Sequence, residues 1–182
     1  SDQVRNPVAM INLTNDNTNI GLAAGGTGNI SFTAVNNSTA PLTGTVIVTP
    51  VYTNAGVSCS GPSRTFTITV NPEGQVNVPS DMAVCNGTPT TITFTTDNTG
   101  GTTSYSWTNS NTSINLVASG TGNTISFTPS NPGTAPVSAV ITVTPTFSNG
   151  SVDCQGPSRS FTITVNPTPS LSSPLTIPDI CS

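Results

Sequence analysis

Apolar and polar residues alternate with a period of two over most of the chain. In residues 88–96, for example, Ile92 and Phe94 fall on one face, and Thr91, Thr93 and Thr95 fall on the other. Such alternation is typical of half-buried β-strands with one solvated face. The same pattern predicts further strands at residues 75–78, 104–108, 113–118, 124–128, 137–147 and 159–165.

The strands are separated by clusters of Gly, Pro, Asn and Ser, which are turn-forming residues. No segment combines helical periodicity with capping residues. Short strands at regular spacing favour a β-sandwich. The inward positions of the strands predict its core, and the residues expected there are Tyr105, Trp107, Phe127, Ile141, Val143, Phe161 and Ile163.

The chain repeats itself. The hexapeptide CSGPSR at residues 59–64 returns as CQGPSR at residues 154–159, and FTITVNP at residues 66–72 returns at residues 161–167. Both pairs are offset by 95 positions, which is close to the length of one immunoglobulin-like domain. The sequence therefore predicts an all-β protein of tandem immunoglobulin-like sandwich repeats.

The repeats are out of register with the ends of the chain. Residues 1–72, the first repeat, align only with the later strands of the unit, so we expect this repeat to lack its first strand or strands. Residues 73–167, the second repeat, contain a complete unit. Residues 168–182 resemble the start of the second repeat, with Ile180-Cys181 where Val84-Cys85 stand. This last segment is expected to begin a following repeat or to donate a strand to a neighbouring copy.

Four cysteines are present, and none forms a Cys-x-x-Cys pair. In the absence of His, this pattern argues against zinc and against a redox motif, and it fits an oxidising, extracellular compartment. Because Cys85 and Cys154 both lie in the complete repeat, we expect a disulfide between them. The two that remain, Cys59 and Cys181, are expected to pair across the boundary between units.

The composition excludes several function classes. The chain has three Lys or Arg against seven acidic residues, no His, and a formal net charge of −4. Without His or Lys, Ser and Thr lack the base that would activate them as nucleophiles, so no enzyme and no cofactor are expected. Three basic residues cannot form a nucleic-acid surface, and no apolar run is long enough to insert into a membrane. The scattered aspartates make calcium ligation a minor alternative.

Four segments carry a resemblance to a known family: YSWTN at residues 105–109, ASGTGN at 118–123, VITVTP at 140–145 and FTITVNPTP at 161–169. On these the chain resembles the PKD-like repeats of large secreted proteins of Bacteroidota, such as gliding-motility adhesins exported by the type IX system. The resemblance implies extracellular display, repetition, and adhesion or spacing, and it supplies no catalytic residues. The first repeat departs from the pattern, with Leu13 where the second has Trp107.

The expected function is therefore a structural or adhesive repeat unit of a long cell-surface adhesin or filament, acting as a stalk without catalysis. Its expected partners are further copies of the repeat, in tandem or head to tail, and polysaccharide or solid surfaces. One alternative is a carbohydrate-binding accessory module of a secreted enzyme, in which Trp107 would stack on a sugar rather than lie in the core. The other alternative is a subunit of a filament in which each copy completes the next by strand donation.

Overall fold

The computed structural model describes residues 10–171, which form strands joined by turns together with two short 3-10 helices, Thr18–Ile20 and Thr112–Ile114. The all-β fold expected from the sequence is confirmed. The strands of the first half are β1 (Met10–Asn15), β2 (Gly25–Thr27), β3 (Leu42–Asn54), β4 (Val57–Ser60) and β5 (Arg64–Val70). Those of the second half are β6 (Met82–Cys85), β7 (Thr90–Thr93), β8 (Thr102–Asn109), β9 (Ser119–Thr121), β10 (Thr124–Phe127), β11 (Val137–Asn149), β12 (Val152–Gln155) and β13 (Arg159–Asn166).

The first five strands form one sheet around the long strand β3. One edge of β3 carries β1 and then β2, both antiparallel. The other edge carries β5 along Leu42–Val48 and β4 along Val51–Asn54. Because β4 and β5 are short, β3 needs two successive partners to satisfy its backbone along this edge.

The later strands form a larger sheet of the same plan and a smaller one. The larger sheet has the order β6-β13-β11-β8-β9, with β12 also on β11, and the smaller one pairs β7 with β10. Strands β8, β9, β11, β12 and β13 repeat the arrangement of β1, β2, β3, β4 and β5. Within residues 10–75, the structure gives no strand that corresponds to β6, β7 or β10.

The core of the second repeat lies between its two sheets. Ile92 and Ile125 pair across the smaller sheet and are buried in one cluster with side chains of the larger sheet. This two-layer packing is that of a β-sandwich. The predicted core residues Tyr105, Trp107, Ile141, Val143, Phe161 and Ile163 are buried there, and Phe127 packs against the cluster half-buried.

Asparagine side chains hold the connecting loops in both repeats. The side-chain amide of Asn131 donates to the carbonyls of Ala135 and Val165 at 2.9 and 2.8 Å. Asn36 donates in the same way to Ala40 and Val70 at 2.9 and 2.7 Å. Each amide satisfies carbonyl groups in its loop and at the end of its strand, which backbone pairing does not reach.

The described chain divides into two compact units. One contains the residues up to Gln75 together with Thr96–Thr103 and Pro145–Pro157. The other contains Val76–Thr95, Ser104–Thr144 and the residues from Ser158 onward. In the part of the chain that the structure covers, no helix has the length and apolar character needed to cross a membrane.

Candidate functional site: the open face of the first repeat

The expected disulfide between Cys85 and Cys154 is wrong, since both residues are free thiols. Cys85 lies opposite Asn166 at the end of β13, next to the pairing of that strand with Val137, the first residue of β11. Cys154 lies opposite Phe147, ten residues further along β11. Ten residues of extended strand span about 33 Å, whereas a disulfide needs Cα atoms within about 7 Å.

The second expected pair is only half described. Cys59 is a free, exposed thiol on β4, opposite Tyr52 of β3. Cys181 lies outside the described residues, so its pairing with Cys59 stays a prediction. Among the residues the structure covers, no three His, Cys, Asp or Glu side chains are grouped to hold a metal ion.

Trp107 does not offer a stacking platform for a sugar. Its indole is 6% exposed and lies against Gly120, its partner on β9. A Cβ atom added to Gly120 would stand 2.4 Å from Cζ2 of the indole, so the glycine is what leaves room for the ring. The groove outside has a volume of about 280 Å³, and Trp107 and Gly120 line it together with the side chains of Ser106, Thr108, Ser119, Thr121, Thr142 and Thr144.

The first repeat exposes the apolar face that the second repeat buries. We call this surface the open face and define it by Ile30, Phe32, Phe66, Ile68 and Val70. Phe66 is 42% exposed and Ile30 is 37% exposed, although both belong to strand-like segments that would face a core. Ile68, Val70 and Phe32 are half-buried against a small cluster.

The matching residues of the second repeat are buried. Phe161, which corresponds to Phe66, is 3% exposed, and Ile125, which corresponds to Ile30, is 2% exposed. The elements that cover them have no counterpart among residues 10–75. Val76 is part of the same cluster, Met82 and Val84 of β6 pack against it, and Ile92 of β7 lies opposite Ile125. Within residues 10–75, no strand covers the open face in the way that β6 and β7 cover the core of the second repeat.

A cavity of about 420 Å³ lies beside this face and is lined by Leu13, Leu22, Gly26, Ile30 and Phe32 among others. Leu13 pairs with Gly26 as Trp107 pairs with Gly120 in the second repeat. A Cβ atom on Gly26 would meet nothing within 4 Å. The space that the indole fills in one repeat is thus empty in the other.

The backbone at the open face is also unpaired. Strand β5 is bonded to β3 on one edge, and the structure gives its other edge no partner among residues 10–171. Residues 30–33 likewise have no backbone partner in that range. Free strand edges beside an apolar surface are templates for an added strand. Sequence reasoning expected a missing first strand here but did not identify Phe66, Ile68 and Val70 as the surface it uncovers.

One charged group near this sheet is held by the backbone. The Asp16 carboxylate accepts a hydrogen bond from the Thr45 amide at 2.7 Å, and this bond lowers the pKa of Asp16. In the second repeat the hydroxyl of Ser110 takes the same place and accepts from the Val140 amide at 2.8 Å. The two repeats therefore make the same long-range contact, one with a titratable acceptor and the other with a neutral one.

Comparison with known proteins agrees with the division of the chain into two repeats. The model of the PKD-like domain matches residues 8–74 and again residues 82–169. No curated protein matches the chain. The two matched segments correspond to the two repeats, one with an open face and one closed, and together they cover most of the 182 residues. The chain belongs to the PKD-like domain family and carries two of its domains in tandem.

Proposed function

We propose that this chain is a non-catalytic structural repeat of a long extracellular protein, in which it acts as a spacer under tension. PKD-like domains are commonly structural or adhesive repeats and are generally non-catalytic. The composition agrees, because a chain without His or Lys has few groups for acid–base or covalent catalysis. The resemblance to secreted surface repeats supports extracellular display as part of this proposal.

The observation that carries the proposal is the pairing of the first and last strands of the second repeat. Strand β6 runs parallel to β13, with Met82 beside Ile163 and Cys85 beside Asn166. The chain therefore enters the repeat at one end of this pair and leaves it at the other. A pull on the two chain ends slides the strands along each other and loads their hydrogen bonds together. An antiparallel closing pair with both chain ends at one side would open one bond at a time.

The linker that precedes the second repeat is fixed by hydrogen bonds. The side chain of Asn98 accepts a hydrogen bond from the Gln75 amide at 2.7 Å and donates to the Glu73 carbonyl at 3.1 Å. The Gly74 amide donates to the Cys154 carbonyl at 3.1 Å. A Cβ on Gly156 would stand 1.7 Å from the Gly74 carbonyl oxygen, so a glycine is needed at this approach. The linker is thus a fixed part of one compact unit.

The solvent-facing sides of the sheets are polar but carry few charged residues. Hydroxyls pair across neighbouring strands, as between Thr144 and Ser158 at 2.7 Å and between Thr142 and Ser160 at 2.9 Å. The first repeat has a hydroxyl pair of the same kind, between Thr49 and Ser63 at 2.7 Å. These pairs stabilise adjacent strands and explain why the solvated positions are Thr and Ser. A neutral hydroxyl surface suits a spacer that has no charged ligand to bind.

Single-molecule pulling of the whole chain tests the proposal. With handles at the two chain ends, the second repeat is expected to unfold in one step that releases about 300 Å, the extended length of its 88 matched residues. The control moves the first handle to exposed Thr88, just after β6. The same ladder is then peeled from one end, and the unfolding force should fall clearly. Equal forces in the two geometries would contradict the role of the β6–β13 pair.

A glycan array addresses the carbohydrate-binding alternative. A spacer should bind no sugar above the level of an unrelated protein. Saturable binding to one glycan class, weakened by Thr142→Val in the groove outside Trp107, would favour the accessory-module alternative. Thr162→Val, also on an outer sheet face but outside that groove, is the matched control.

A further inference from the structure

We infer that the free edge of β5 accepts residues 168–182 of a second copy of this chain, added as a parallel strand in the place that β6 takes in the second repeat. The proposed occupant is a segment of this chain that lies almost wholly outside the described residues. The inference does not depend on the mechanical role proposed above, because a repeat that failed to bind a second copy could still carry tension.

The acceptor edge has a template within the same molecule. Residues 68–71 correspond to residues 163–166 of the second repeat, which bind β6 as a parallel strand. On β13 the inward side chains Ile163 and Val165 are fully buried, and Met82 and Val84 of β6 pack against their cluster. Their counterparts Ile68 and Val70 are only half-buried. An added strand would cover them and satisfy the free backbone edge of β5.

The donor segment has the sequence of the strand it would replace. Residues 167–182 align with residues 72–86, with Ile180 and Cys181 in the places of Val84 and Cys85. Leu171, near the start of this segment, is 79% exposed, whereas Val76 at the corresponding position is 8% exposed. The chain thus presents an apolar residue to solvent where its own repeat pattern buries one. Burial of this side chain against the open face would favour docking.

The pairing of β6 with β13 in the second repeat predicts the register of the donor strand on β5. Val84 lies beside Val165 and Cys85 beside Asn166, so Ile180 of the donor should lie beside Val70 and Cys181 beside Asn71. Because donor and acceptor are different surfaces, each copy can bind one neighbour at each end. Such contacts are heterologous and produce open chains rather than closed dimers.

This register also distinguishes strand addition from a disulfide between Cys59 and Cys181. Val70 pairs with Leu42 of β3, whereas Cys59 pairs with Tyr52, ten residues further along the same strand. A docked Cys181 would therefore lie about 33 Å from Cys59 of the acceptor. Strand addition and a Cys59–Cys181 bond cannot form together on one acceptor, so reducing agent and a Cys59→Ser variant distinguish them.

Sedimentation velocity of the full chain in reducing buffer tests the inference. Species larger than the 18.4 kDa monomer should grow with concentration and persist in Cys59→Ser. Ile180→Asp should weaken association about tenfold or more, because it places a charge against an apolar surface. Ser170→Asp, at an exposed position that corresponds to Gln75 outside β6, adds the same charge to the same segment and should leave association unchanged.

A peptide gives the second measurement. A labelled peptide with the sequence of residues 168–182, carrying Ser for Cys181, should bind the Ile180→Asp chain saturably and reduce oligomers of the unmodified chain to monomers. A scrambled peptide should do neither. The inference is overturned if the chain stays monomeric and does not bind the peptide, if the oligomers vanish on reduction or in Cys59→Ser, or if Ile180→Asp leaves them intact.

Discussion

The packing of Trp107 on Gly120 makes a quantitative prediction. In Gly120→Ala the new methyl would stand 2.4 Å from Cζ2 and 2.7 Å from Cε2 of the indole, about 1 Å inside ordinary contact. The ring is rigid and 6% exposed, so neither partner can move without disturbing the core. Overpacking of this kind costs about 1–3 kcal/mol. Gly26→Ala introduces the same methyl at the corresponding position of the first repeat, where it meets nothing, and should change stability by less than about 0.5 kcal/mol.

Urea unfolding monitored by tryptophan fluorescence measures the difference. The chain has a single Trp, so its emission reports on the second repeat alone. With an m-value of about 2 kcal/mol/M, a loss of 2 kcal/mol lowers the midpoint by about 1 M. Gly26→Ala should leave this midpoint in place, and circular dichroism should show no loss of stability in the first repeat. If Gly120→Ala costs less than about 0.5 kcal/mol, or if both variants cost the same, the indole does not rest on Gly120 as described.

Three further predictions follow from the comparison of the repeats. Leu13→Trp should fill the cavity over Gly26 and stabilise the first repeat by about 0.5–2 kcal/mol, measured by thermal unfolding; a lower melting temperature would contradict this. Asn131→Ala should cost about 1–3 kcal/mol in the fluorescence assay, because the Val165 carbonyl loses its buried donor; an unchanged midpoint would show that water replaces the amide. Asp16→Ser tests the lowered pKa of Asp16. The contribution of Asp16 to stability is fully present above its ordinary pKa of 3.8 and is lost as the pH falls through the lower pKa of the folded state. The stability of the unmodified chain relative to Asp16→Ser should therefore fall below about pH 4, and a difference independent of pH would refute the assignment.

Much of the architecture follows from the sequence, because the internal repeat and the period-two pattern are both strong. The alternation that placed Tyr105 and Trp107 on one face describes strand β8 as the structure has it. The alignment also predicts that the first repeat lacks its first strand, and within residues 10–75 the structure gives no counterpart of β6. The burial of Phe161 against the exposure of Phe66 could not be read from the two sequences, since both segments have the same pattern.

Local and long-range errors have different causes. Residues 113–118 alternate like a strand, yet Thr112–Ile114 forms a 3-10 helix, in which the Asn111 side chain accepts a hydrogen bond from the Ser113 amide. Ile114 and Leu116 are buried in either conformation, so the pattern does not distinguish them. The error on Cys85 and Cys154 is of another kind. Membership of one repeat says nothing about position within a sheet, and the two residues lie at opposite ends of β11.

The parallel closure of the second repeat has a consequence for how such a chain folds. Strand β6 and its partner β13 lie about 80 residues apart in sequence. The repeat can therefore close only after its last strand has emerged, and contacts of such high sequence separation form slowly. During that interval the first strand of one repeat can pair with the last strand of another, since both repeats end in the same FTITVNP sequence. Differences between the two cores, such as Leu13 in the first repeat where the second has Trp107, would then disfavour such mispairing, because a strand from the wrong repeat would meet side chains of different size.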